Sequence, residues 1–228
     1  MVLQVQEGLL TTSSPRVLVA TAVPAERDAV ARALTGDRIT VTAVGVGPAA
    51  AAAGTATALA RVPYDLVVSA GIGGGFQPEA PVASLVVADE ITVADLGAQT
   101  PEGFLPVTEL GFGAVTHRPP AALVRAIATA SGARPGTVLT VSTVTGTAAR
   151  AAELRARHPR ALAEAMEGFG VAEAAAVHGV PVLELRAVSN PVGPRDRAAW
   201  RIGDALAALT EGFGKCAPVL ESWNPHDH

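Results

Sequence analysis

Short, almost uncharged apolar runs recur along this chain, and most are followed by a segment with helical spacing. The runs fall at 16–21, 39–46, 65–69, 81–94, 136–144 and 180–187. Runs without polar alternation fit strands covered on both faces, and parallel strands joined by crossover helices are covered in that way. The spacing predicts helices over 25–34, 49–61, 119–131, 147–157, 169–178 and 197–213, with a loop-rich stretch at 95–118. Strand and helix therefore alternate, which predicts an α/β class with one mostly parallel sheet. With 228 residues the chain is read as one domain over 16–214, between a loose leader at 1–15 and a tail at 215–228.

Composition narrows the function. Apolar residues are 49% but aromatics only 4%, so close packing rests on Ala, Val, Leu and Gly. A net charge of -4 carries no basic stripe of the kind that displaces counterions from nucleic acid. The single cysteine, Cys216, excludes a disulfide framework and a Cys-rich zinc site and fits a reducing compartment. His117, His158 and His178 lack metal-ligand spacing. The serines lack a G-x-S-x-G context. No targeting segment is read at the start. The uncharged stretch 39–60 is broken by Pro48 and reads as strand, turn and helix rather than a membrane span.

Two glycine motifs stand out. Gly45-Val-Gly47-Pro-Ala-Ala50 matches a dinucleotide fingerprint, with Asp65 twenty residues on. Asp65, however, begins the next strand instead of ending it, so a tight turn is favoured. Gly71-Ile72-Gly73-Gly74-Gly75 follows a buried strand, where α/β sheets bind ligands, and is read as a turn that a ligand approaches closely. No Lys-Ser/Thr follows, so it is not a P-loop. Charge is otherwise so scarce that Glu26, Glu167 and the segment Arg186-Ala-Val-Ser-Asn190 are notable within their apolar settings. Each also has a plainer reading: a helix-start acid for Glu26 and Glu167, a turn residue for Asn190.

Taken together, these elements resemble the nucleoside phosphorylase / nucleosidase family. The resemblance runs from Val17 to Leu209 and rests on the early strand leading to Glu26, Ser69-Ala-Gly71-Ile72-Gly-Gly-Gly, Met166-Glu167-Gly and Arg186-Ala-Val-Ser-Asn190. It implies a three-layer α/β sandwich with a central mixed, mostly parallel sheet, and cleavage of N-ribosidic bonds without metal or cofactor. By the same resemblance, Met166 packs on the ribose and Glu167 accepts from its 2′ and 3′ hydroxyls. Glu26 acts as general base on water aimed at C1′, Arg186, Gly71 and Ile72 position that water, and Asn190 addresses the purine.

The early loop Ala20-Thr-Ala-Val-Pro24-Ala-Glu26 lacks the arginine of related phosphorylases, and no arginine lies between Arg61 and Arg118. That favours water over phosphate as acceptor. Related adenine-releasing nucleosidases carry Asp where Asn190 stands. An amide supplies two N–H donors, which suit the acceptor pair N7 and O6 of a 6-oxopurine. The segments Met166-Glu167-Gly-Phe169-Gly and Arg195-Asp-Arg197-Ala-Ala-Trp200 are most similar to a branch whose substrate carries a carboxylated aromatic 5′ tail. Arg195, Arg197 and Trp200 would then meet that tail; the plainer reading is a solvated helix start with Trp200 in the core. A phosphorylase, a methylthioadenosine-type nucleosidase and a non-catalytic nucleoside-binding module remain open. The family implies a cytoplasmic homo-oligomer, dimer or tetramer, for which 95–118 is the expected contact, with a nucleoside and water as its small-molecule partners.

Overall fold

In a computed structural model that describes residues 15–224, the apolar runs become the strands of one eight-stranded sheet. All five residues of β1 (Val17–Thr21) are buried, as expected of a strand covered on both sides. β1 pairs in parallel with β2 (Ile39–Ala43) and with β3 (Leu66–Gly75). β3 pairs in parallel with β10 (Val182–Pro191), which turns antiparallel against β4 (Leu85–Val93). β4 runs parallel to β8 (Arg134–Thr140), and β8 to β9 (Ala161–Ala165). β9 then meets the far end of β3 antiparallel, at Gly74 and Gly75. Strands β3, β10, β4, β8 and β9 thus close on themselves, while β1 and β2 extend outward from β3.

Helices cover this sheet on two sides. α1 (Pro24–Ala31), α3 (Ala121–Ser131) and α6 (Ile202–Ser222) share a core with one face, through Val30, Ile127, Leu209 and Phe213. α2 (Pro48–Arg61) and α5 (Gly168–Val177) share a core with the other, through Ala51, Leu59, Val171 and Ala175. α4 (Ala148–Arg157) buries Leu154 in a smaller cluster with Phe76 and Leu139. Small side chains let α2 and α5 approach closely: a Cβ on Gly170 would collide with the Pro48 carbonyl. This is the mixed α/β sandwich that the sequence predicts.

Four local expectations are corrected. The glycine run 71–75 is not a turn but the second half of β3. β9 was not foreseen, because Ala161-Leu-Ala-Glu-Ala165 is built of good helix formers. Burial of all five residues between β8 and β3 overrides that preference. The stretch 95–118 is not only loop: β5 (Gly97–Thr100) and β6 (Gly103–Pro106) form a hairpin, and β7 (Thr116–His117) adds to β4. Finally, 197–199 is a single 3₁₀ turn and α6 runs from Ile202 to Ser222. Cys216 and Leu220 are buried in the main core, so residues 215–222 belong to the body and not to a tail. The expected leader lies almost entirely outside the described residues, as does the end of the chain after residue 224. Among the described residues no helix is long and apolar enough to cross a membrane.

Candidate active site

The turn after β1 places Glu26 as the third residue of α1, with only 4% of its surface exposed. Val23, which precedes the helix, has no side-chain acceptor for the free N–H groups of the first turn. Glu26 instead reaches back to the N–H groups just ahead of the helix: its Oε2 accepts from the backbone N–H of Ala22 at 2.9 Å and of Val23 at 3.3 Å. Its Oε1 accepts from the Ile72 N–H of β3 at 2.9 Å. Three main-chain donors therefore fix the direction of this carboxylate.

Behind Glu26 lies Arg186 of β10, 1% exposed. Its Nε donates to Glu184 Oε1 at 2.8 Å and its Nη2 to Ser69 Oγ at 3.0 Å, while its Nη1 stands 3.3 Å from Glu167 Oε2. Burial by itself would lower the guanidinium pKa; the carboxylates of Glu184, Glu167 and Glu26 outweigh it and raise the value. Burial pushes the Glu184 carboxyl up, with Arg186 opposing. Glycine at 71 is required here. A Cβ there would stand 2.6 Å from Glu26 Oε1 and 2.7 Å from Arg186 Nη1, so any side chain would wedge the two apart.

Glu167 caps α5 by position, at the junction with β9, and is 6% exposed. Its Oε1 accepts from the Gly47 N–H at 3.2 Å and its Oε2 from the Met166 N–H at 3.3 Å. The Gly45–Ala50 motif thus has a role unlike the fingerprint it matches. Gly47 adopts φ 87°, stands immediately before α2, and directs its N–H onto Glu167. At the end of β10, the Ser189 hydroxyl lies 2.8 Å from Asn190 Oδ1, and Asn190 Nδ2 donates to the Pro191 carbonyl at 2.9 Å. That leaves a second N–H on Nδ2.

Glu26, Ile72, Met166, Glu167, Asn190, Arg195 and Trp200 line one cavity, floored by Gly73 and Gly74. Arg186 and Gly71 lie beneath it, holding Glu26 and Glu167 rather than lining the space. Ile72, a residue expected to position water, lines the cavity and donates its backbone N–H to Glu26. Trp200 is half-buried at the cavity rim and not in the core. Arg195 and Arg197 sit over its ring, 5.5 and 5.9 Å from the centroid, but of the two only Arg195 lines the cavity.

Three acids or donors escaped the sequence reading: Gly47, Glu184 and Glu164. The last lines the cavity from β9. Its Oε1 accepts from the Thr145 N–H at 2.8 Å and its Oε2 from the Thr145 hydroxyl at 2.5 Å. Burial pushes its carboxyl up, and the Thr145 bonds pull the other way. For Glu184 the available signal was a carboxylate inside the predicted strand 180–187; Glu164 offered none, because its strand is built of helix formers.

A model of the phosphorylase superfamily matches residues 9–219. A futalosine hydrolase of Streptomyces coelicolor is 72% identical over 92% of this chain and 99% of its own. A futalosine hydrolase of Acidothermus cellulolyticus is 48% identical over 88% of this chain and 89% of its own. Among solved structures, the 5′-methylthioadenosine/S-adenosylhomocysteine nucleosidase of Neisseria meningitidis, in complex with methylthio-immucillin-A, shares the fold. Its TM-score is 0.79 at 18% identity, covering 90% of this chain and 99% of that one. The chain belongs to the phosphorylase superfamily and, within it, to the futalosine hydrolase family.

Proposed function

We propose that the protein hydrolyses the N-ribosidic bond of futalosine, releasing hypoxanthine and dehypoxanthinyl futalosine in menaquinone biosynthesis. One observation carries the mechanism: Glu26, Glu167 and Asn190, from three separate parts of the chain, open on a single cavity. Glu167 accepts hydrogen bonds from the ribose hydroxyls and favours the positive charge that grows on the sugar as the bond to the base lengthens. Met166 packs beside it. Glu26, held by its three N–H donors, takes the proton of a water attacking C1′. Asn190 turns its remaining N–H toward the N7 and O6 edge, stabilising the departing base. Arg186 serves from below, keeping Glu167 and Glu26 in place.

Water is favoured over phosphate by charge. Among the described residues, three carboxylates line the cavity, Glu26, Glu164 and Glu167, against one arginine, Arg195. A phosphate dianion would enter against that balance. Arg195 is placed to pair with the carboxylate of the substrate's 5′ tail, with Trp200 against its ring. The proposal extends to a cytoplasmic homo-oligomer: Leu96, Leu110 and Phe112 expose apolar surface along 95–118, Phe112 to the extent of 68%.

Chromatography of products from futalosine, its 6-amino analogue, inosine and methylthioadenosine, with and without phosphate, tests the assignment. Hypoxanthine is expected from futalosine at a rate independent of phosphate. Strict phosphate dependence would make the enzyme a phosphorylase, and preference for methylthioadenosine would move it to that nucleosidase class. Asn190→Asp is expected to shift the ratio of kcat/KM values toward the 6-amino analogue by about 10–100-fold, because one buried polar match is exchanged for another. An unchanged ratio would remove Asn190 from base selection.

A further inference from the structure

Glu164 is a buried cavity acid to which the mechanism above gives no task. Its position follows from strand register. Gly74 of β3 pairs with Asn190 of β10 on one side and with Glu164 of β9 on the other. Residues aligned across neighbouring strands project from the same face, and both side chains line the cavity. With strands about 4.8 Å apart, Asn190 and Glu164 stand about two strand spacings from each other. The residue between them has no side chain. A Cβ at position 74 would meet Val192 Cγ2 at 2.8 Å and Asn190 Nδ2 at 3.5 Å, so glycine keeps open the gap that a flat ring would occupy.

The acid is also prepared to accept. Thr145 occupies one lone pair on each carboxylate oxygen and orients the group, and each oxygen retains another. We propose that Glu164 is a second base-reading residue, whose carboxylate accepts the N1–H of the 6-oxopurine while Asn190 holds its N7 and O6 edge. This deepens the proposed function and rests on it. A 6-oxopurine carries a proton at N1, whereas a 6-aminopurine presents a lone pair there. A carboxylate at Glu164 therefore gains a charge-assisted bond from the first and faces repulsion from the second. Asn190 and Glu164 select the same base from two sides of Gly74, and neither needs the other for its part of the discrimination.

The test pairs a variant with a base analogue. Glu164→Gln keeps the shape, but its amide can either accept from or donate to N1. The preference for futalosine over its 6-amino analogue, in kcat/KM, is expected to fall by about tenfold or more. A residue that only secured the Thr145 loop would lower both substrates equally, so an unchanged ratio would overturn the proposal. In the wild-type enzyme, independently of how the variant folds, calorimetry is expected to show 1-methylhypoxanthine binding at least about tenfold more weakly than hypoxanthine. Equal binding of the two would overturn it as well. Failure of the wild-type enzyme to release hypoxanthine from futalosine would instead strike the proposed function, and this inference with it.

Discussion

Glu26→Gln is expected to lower kcat on futalosine by about 10²–10⁴-fold, the usual contribution of a positioned general base, with KM little changed. The amide has almost the volume of the carboxylate and remains in the same N–H cradle. It cannot take the proton of the attacking water. The cradle adds a second consequence. The carboxylate receives N–H donors on both oxygens, from Ala22 and Val23 on one and Ile72 on the other. An amide must turn its NH₂ toward one of them, opposing donor to donor. That mismatch is expected to cost about 1–3 kcal/mol of stability. Steady-state kinetics beside urea unfolding separates the two effects: a variant that loses stability but keeps its rate would exclude Glu26 from the chemistry.

Arg186→Met is expected to be the most destabilising single change at the site, by about 3–5 kcal/mol. It leaves the carboxylates of Glu184 and Glu167 buried without their shared cation. Lysine would not restore the arrangement, since three different nitrogens of the guanidinium reach Glu184, Ser69 and Glu167. The pH dependence has a definite sign. Burial raises the Glu184 carboxyl and Arg186 opposes that rise, so the folded-state pKa climbs further in the variant. A group protonated more readily when folded stabilises the fold at low pH. That contribution fades as pH rises from the unfolded-chain value, about 4.3, through the raised folded value. The stability deficit of Arg186→Met should therefore shrink on acidification, and a deficit that grew would contradict the ion network. Adding Glu184→Leu should recover most of the stability at neutral pH but not the activity, because Glu167 still lacks Arg186.

Much of this site was legible in the sequence for a simple reason. In a chain with 17% charged residues, a carboxylate beside a buried strand needs a partner or a purpose. Glu26 and Glu167 were found in that way. Glu184 could have been, since it stands two residues before Arg186 on a strand, on the same face and with the opposite charge. Glu164 could not be assigned a direction without β9, and β9 was hidden by helix-favouring alanines. The glycine run marked a close approach correctly but not its kind. Glycine at 71, 73 and 75 makes room for Glu26, for the Glu164 carbonyl and for the Ala80 carbonyl, which pack against an uninterrupted strand. The expected helix ends at 213, nine residues short of the end of α6, and Gly212, Gly214 and Pro218 are all residues that weaken a helix locally. Gly212 is instead where Leu85 of β4 packs, and the burial of Cys216 and Leu220 carries the helix through Pro218.

The central claim is that Glu26 directs water to the anomeric carbon of a ribose held by Glu167. It is tested most directly by turnover of futalosine in H₂¹⁸O without phosphate, with both products analysed by mass spectrometry. One labelled oxygen is expected at the C1′ hydroxyl of dehypoxanthinyl futalosine and none in the hypoxanthine released at the moment of cleavage. Absence of turnover until phosphate is added, with a sugar 1-phosphate as product, would contradict it.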